Sequence, residues 1–331
     1  MLMPRNRLVI LCIFLTFNCT LSAQNETRPA VDTQWHRFPN GRMAGYTKPR
    51  SFGFLTQVPG DAGHIAAVPF KKQSLGPLIA ITGTTVLLIF ADQTISDGIV
   101  KFSDEIDLHA SEEYKNLISL HAGKKEISLL KAPLNLNTAI YQLGQGFPSL
   151  LIGAGLFTFG KINHNYRALN TASQLAESFI LMGVGTQILK RISGRESPSD
   201  ATRPGGAWHF LPAFKDFQQH TPKYDAFPSG HLATMMSSVT VLADNYPELK
   251  WIRPVGYSLT GLLGYSMINN KVHWISDYPM ALALGYICAK QVSIHNRKVI
   301  DDPYSRKRTT NLSLTFQYAF GEFLPGLKYS F

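Results

Sequence analysis

The sequence predicts an all-α protein built on a six-helix core bundle. Three observations carry this. Six apolar stretches of helical length (residues 77–91, 147–159, 172–189, 232–245, 255–268 and 278–292) are set off by turn formers or polar runs. Hydrophobic residues make up 45% of the 331 and charged residues only 16%, against roughly 25% charged in ordinary soluble domains. The chain shows no collagen period, heptad or internal repeat, which excludes fibrous and solenoid classes and leaves a packed core.

In chain order, residues 1–23 read as an export signal. Arg5 and Arg7 precede the apolar run 8–17, and Leu21, Ser22 and Ala23 end it in the manner of a cleavage site, with Gln24 as the mature start. The other reading is an uncleaved anchor helix. Residues 24–74 are rich in Pro, Gly and polar residues without a period, and predict an irregular N-terminal arm. The helical domain follows over 75–295. Within it the more polar stretch 95–138, with Phe102, Ile106, Leu108, Leu117, Ile118 and Leu120, predicts one or two amphipathic helices. Gly144, Gly146 and Pro148 end one helix and open the next.

Residues 195–227 form a long loop with Pro198, Pro204, Gly205, Gly206, Pro212 and Pro222. A loop of that length between two motifs points to function. The tail 296–331 changes character. Leu312, Leu314, Phe316, Tyr318 and Phe320 alternate with smaller or polar residues, which is strand period, and 326–331 supplies a partner strand after a turn near Pro325. The tail is therefore β-hairpin-like, and two strands cannot close a membrane barrel.

The formal net charge of +10, from 32 Lys and Arg against 22 Asp and Glu, favours anionic partners such as phosphorylated substrates or an acidic membrane face. No Arg-rich helix or aromatic-interleaved basic run argues for nucleic acid. Cys12 and Cys19 fall in the signal and Cys288 lies in an apolar stretch. The mature chain thus has no disulfide framework and no Cys-based metal site.

Three segments concentrate chemistry. Lys190, Arg191 and Arg195 gather positive charge where an apolar helix ends, a placement that by itself also complements the helix dipole. Pro228, Ser229, Gly230 and His231 put a capping hydroxyl and a residue without a side chain at a helix start, where backbone N–H groups hold phosphate. An ordinary Ser cap beside a surface histidine fits that segment too. His273 and Asp277 stand four apart. A carboxylate on one imidazole nitrogen fixes the tautomer and leaves the other nitrogen as base or nucleophile, although a structural His–Asp pair has the same spacing.

Taken together, the three segments resemble the type 2 phosphatidic acid phosphatase/vanadium haloperoxidase superfamily. The family pattern is Lys, six residues, Arg-Pro; then Pro-Ser-Gly-His; then Ser-Arg, five residues, His, three residues, Asp. This chain has Lys190 with Ser197 and Pro198, an intact 228–231, and Ser266 and Met267 followed by His273 and Asp277. The resemblance covers about residues 75–295 and implies the family's six-helix fold. It implies a phosphatase acting on phosphate monoesters or pyrophosphates, lipid-borne ones included, with His273 as nucleophile, Asp277 orienting it and His231 as acid and base. Lys190, Ser229 and Gly230 would hold the phosphoryl oxygens, with no metal or other cofactor. A vanadate-dependent haloperoxidase and a non-catalytic envelope protein binding an anion or lipid are the alternatives. The family's two phosphate-binding arginines fall at Ser197 and Met267. Arg195, after Gly194, is the expected replacement, with Arg191 and Lys271 as further candidates.

A cleaved signal followed by six spanning helices would put the site on the cytoplasmic side. The helices are also short of the ~20 apolar residues a span needs, and Glu177 interrupts one of them. The expected location is the periplasm or cell envelope, apposed to the membrane surface, with a membrane-integral form as the alternative.

Overall fold

This computed structural model describes residues 32–331 apart from 40, 112, 123–124, 296, 303–310, 320–321 and 331. The expected export signal lies outside the described residues. The chain opens with strands β1 (Thr33–Arg37) and β2 (Arg42–Thr47) and helix α1 (Gly53–Ala67). Next come α2 (Leu75–Ile89), α3 (Asp92–Glu105), the antiparallel pair β3 (Tyr114–Ala122) and β4 (Lys125–Pro133), and α4 (Leu136–Gln142). The core helices follow as α5 (Phe147–Ile162), α6 (Tyr166–Ser193), the short α7 (Phe214–Gln219), α8 (Gly230–Asn245), α9 (Ile252–Asn269) and α10 (Tyr278–Val292). Three strands end the chain: β5 (Arg297–Asp301), β6 (Asn311–Ala319) and β7 (Glu322–Ser330).

The six apolar stretches are α2, α5, α6, α8, α9 and α10, several of them longer than periodicity alone indicates. Caps account for the added turns. Asn165 accepts the Ala168 N–H at 2.9 Å and starts α6 six residues before its apolar run, and Ser229 caps α8.

Helix α8 is the centre of the bundle and packs against α6, α9 and α10. Its Leu232, Ala233 and Val241 join Leu175, Leu181, Leu263, Ile268, Ala281 and Val292 in the main core. The α8–α10 approach is closest at Gly285, where a Cβ would stand 2.3 Å from the Ala233 carbonyl oxygen. Only glycine fits there.

Two regions differ from expectation. The stretch 95–138 holds helices at its ends, but 114–133 is a hairpin. Ile118, Ile127 and the intervening Gly123 are hairpin signals that a search for helical period passes over. Residues 33–67, expected within an irregular arm, hold β1, β2 and α1. Strand β2 pairs with β1 on one side and with β5, beyond the helical domain, on the other. Short strands whose partner lies so far along the chain leave little local signal. The sheet is anchored by buried Ala44 and Tyr46, and the Tyr46 hydroxyl donates to Asn245 Oδ1 at 3.1 Å at the end of α8. The tail is an antiparallel β6–β7 pair as expected, but β7 begins at Glu322 and contains Pro325 rather than following it.

The stretch Lys72–Ile89 is the one helical segment among the described residues long and apolar enough to cross a membrane, with mean hydropathy 1.2 over 18 residues.

Candidate active site

The site begins where α6 stops. Gly194, at φ 54°, takes the left-handed position and donates its N–H to the Lys190 carbonyl at 2.9 Å. A Cβ there would lie 1.9 Å from the His209 carbonyl oxygen, so the chain can turn at this point only with glycine. The turn sends Arg195, Glu196 and Ser197 inward, at 0%, 0% and 2% exposure.

Glu196 organises the long loop. Its carboxylate accepts the N–H groups of Thr202 at 2.8 Å and Ala207 at 2.9 Å, and lies 3.0 Å from His209 Nε2. Burial opposes its charge, but these hydrogen bonds prevail and hold the carboxyl down to about 2. The Glu196 carbonyl accepts the Trp274 indole N–H at 2.8 Å, which joins the loop to the third motif. Residues 195–227 are therefore folded onto the bundle, with α7 and short 3-10 turns within them.

Lys190, 7% exposed, places its Nζ 3.2 Å from Asp225 Oδ2. One residue on, the Ala226 carbonyl stands 2.6 Å from His273 Nδ1. Asp277 Oδ2 lies 3.5 Å from the same nitrogen and accepts the Trp274 N–H at 2.8 Å. Both neighbours of Nδ1 are acceptors, so Nδ1 carries the proton and Nε2 keeps its lone pair. His273 and Asp277 meet across a 3-10 turn at 275–277 rather than along an α-helix. The second motif closes on the third: the Ser229 N–H donates to the Asp277 carbonyl at 3.4 Å. His231, on the first turn of α8, packs on Tyr141 at 4.8 Å between ring centroids and faces His273 at 6.3 Å. Burial, with His273 and Lys190 beside it, pulls the His231 imidazole down to about 3.

The structure thus brings Lys190, Ser229, Gly230, His231, His273 and Asp277 to one end of α6, α8 and α10. Arg195 departs from expectation. Its guanidinium does not open into the cleft. Nη1 donates to Ser276 Oγ at 2.6 Å and Asp277 Oδ1 at 2.5 Å, while Nη2 donates to Asp92 Oδ2 at 2.5 Å and the Gly205 carbonyl at 2.9 Å. Trp208 and Trp274 cover it at 4.8 and 5.7 Å. Two buried carboxylates attract this guanidinium more strongly than an open cleft would. Arg195 therefore sits behind Asp277, as a group that holds the carboxylate that holds His273.

The other two candidates are also engaged elsewhere. Arg191 stacks over Phe217 at 3.7 Å and Phe214 at 4.8 Å. Lys271 lines a surface groove with Asp97, Lys101, Asp104 and Glu105. At the family's arginine positions Ser197 and Met267 are buried, and Met267 Sδ lies 3.7 Å from Ser229 Oγ.

Sequence reasoning did not single out Asp92, Asp225 or Glu196. Asp92 gave one usable signal, a lone acid between two apolar segments. The Ala226 carbonyl, as a backbone group, gave none.

Residues 171–299 match the PAP2 superfamily model, a span that contains all three motifs. A search among curated proteins gave no match. Among solved structures, the chain is similar to one described as the first transmembrane PAP2 type phosphatidylglycerolphosphate phosphatase from Bacillus subtilis. The identity is 16% and the TM-score 0.34, over 65% of this chain and 92% of that one. At that score the superposition has no bearing on what this chain acts on.

Proposed function

We propose that the protein is a phosphatase that hydrolyses phosphate monoesters or pyrophosphates, including those carried by lipids, through a phosphohistidine on His273. The observation that carries this reading is the pinned Nδ1 of His273, which leaves Nε2 as a preoriented lone pair 6.3 Å, ring to ring, from a second imidazole. Nε2 attacks phosphorus, the N–P bond forms, and the bond to the leaving oxygen breaks as His231 gives that oxygen a proton. Water then attacks phosphorus, His231 takes its proton, and phosphate leaves with the N–P electron pair returned to Nε2. Lys190, the Ser229 hydroxyl and the Gly230 N–H hold the non-bridging oxygens.

His231 is neutral in the free site, and an arriving phosphoryl dianion reverses the local field so that it can carry the proton. With Arg195 committed to Asp92 and Asp277, transition-state charge falls mainly on Lys190 and backbone donors, and turnover is slow for such a site. The same shortage of guanidinium groups counts against tight vanadate retention. The residue 1–23 signal supports export to the periplasm or envelope. The apolar side chains exposed on α2, α5, α6 and α9 support association with a lipid surface.

The test is phosphate release from soluble monoesters, phosphatidic acid and a prenyl pyrophosphate. His273→Ala should lower turnover on the accepted substrate by about 10³-fold or more. Unchanged turnover overturns the nucleophile assignment. Phosphate bound without turnover by the wild-type protein favours the non-catalytic reading instead.

A further inference from the structure

Away from the phosphoryl site, three side chains from separate parts of the chain meet inside the protein. Asp61 comes from α1, Glu177 from the middle of α6, and His295 from just beyond α10. One ligand atom from each lies within 4.8 Å of the others. His295 Nε2 is 2.6 Å from Asp61 Oδ2 and 4.0 Å from Glu177 Oε1. Thirteen residues of helix separate Glu177 from Lys190, which is ~20 Å along α6, so this cluster is no part of the phosphoryl site.

The charge balance is what makes the cluster informative. Both carboxylates are buried, Asp61 at 2% and Glu177 at 1% exposure. Among the described residues, their ion-pair partners are histidines alone, His295 with both and the mostly exposed His64 with Asp61 at 3.9 Å. Two buried acids without a lysine or arginine need another source of positive charge. Glu177 Oε1 is buried with no hydrogen-bond partner and lies 4.0 Å from His295 Nε2. A buried carboxylate oxygen without a donor is costly, and a cation there removes the cost.

We propose that Asp61, Glu177 and His295 bind a divalent transition-metal ion, of the Zn²⁺ or Mn²⁺ class, which fastens α1 and the segment after α10 to α6. Two carboxylates and an imidazole suit these ions, whereas Ca²⁺ and Mg²⁺ prefer all-oxygen sets. Bonds of ~2.1 Å put neighbouring ligand atoms roughly 3 to 3.5 Å apart, and the present spacings of 2.6 and 4.0 Å bracket that range. Supporting contacts are in place. The Gln291 amide donates to Asp61 Oδ1 at 2.8 Å, and the Gln174 amide holds the His295 carbonyl at 3.2 Å. His295 is partly exposed and gives the ion a path of entry. The proposal stands whether or not the protein is a phosphatase.

The experiment uses the full, tag-free chain, stripped with chelator, exposed to Zn²⁺ and passed through a desalting column. Metal per chain and Tm are then measured, with Mn²⁺ as a second probe. One equivalent of Zn²⁺ should be retained, with Tm raised by about 5 °C. Retention should fall at least about tenfold in Glu177→Gln and in His295→Gln. His64→Gln should retain the full equivalent. His295→Gln changes a partly exposed residue beyond the last helix, so it reads out binding even where Glu177→Gln folds poorly. No retained Zn²⁺ or Mn²⁺ overturns the site. Equal retention by the wild type and both ligand variants overturns it as well.

Discussion

At Arg195, two roles separate by kinetics. A guanidinium touching phosphate acts on substrate binding, whereas one that holds Asp277 acts on the geometry of His273. Arg195→Lys keeps the charge but cannot reach Asp277, Asp92, Ser276 and Gly205 at once. It should lower kcat by about 10²-fold with little change in KM, and Asp92→Asn should do the same from the far side of the network. A raised KM with kcat intact would mean that Arg195 holds phosphate after all. Arg191→Lys, on its Phe217 platform, should stay active. Ser197→Arg and Met267→Arg restore the family residues at buried positions and should overpack them. His231 gives a pH prediction. Its folded value of about 3 lies below the unfolded 6.5, so the unfolded chain takes up a proton that the folded one refuses. The stability it allows is complete above pH 7 and declines as pH falls from 6.5 toward 3, by up to ~1.4 kcal/mol per unit. Thermal melts from pH 7.5 to 5 should therefore be less steep in His231→Gln than in the wild type, and parallel curves would reject the argument.

Among the elements, the end of α6 decides whether there is a site. Helix α6 carries Lys190 on its last turn, and Gly194 turns the chain so that Arg195 and Glu196 enter the interior. Gly194→Ala meets both a left-handed backbone and the His209 carbonyl. It should cost about 3 kcal/mol or more, read as a lowered urea midpoint, with activity lost in step as the loop 195–227 comes away from Trp274. A midpoint within error of the wild type would show that the backbone relaxes there. The β1–β2–β5 sheet works at the same scale. It ties the segment before the bundle to the segment after it, and Tyr46 fixes it to Asn245 at the end of α8.

Across the whole molecule, the apolar surface is the feature to explain. Leu87 and Phe90 around the end of α2, Phe157 and Ile162 on α5, and Ile188 on α6 are about half or more exposed. A monomer in water rarely shows so much. Purified protein should float with anionic lipid vesicles, and Leu87→Glu with Phe157→Glu should reduce flotation several-fold. Monodisperse wild-type protein that ignores vesicles would contradict lipid association. The sequence by itself determined the six apolar helices, their order, and the spacing of Lys190, Pro228–His231 and His273–Asp277, because periodicity, caps and motif spacing are local properties. It also determined that guanidinium groups are missing at 197 and 267. Tertiary structure alone decided where the remaining cations point. Arg195 turns toward Asp92, more than a hundred residues away, and not toward the cleft, because burial makes an ion pair with two carboxylates the dominant interaction. The Ala226 carbonyl on His273, the pairing of β2 with β5 and the meeting of Asp61, Glu177 and His295 likewise arise from contacts between distant segments, which no window along the chain contains.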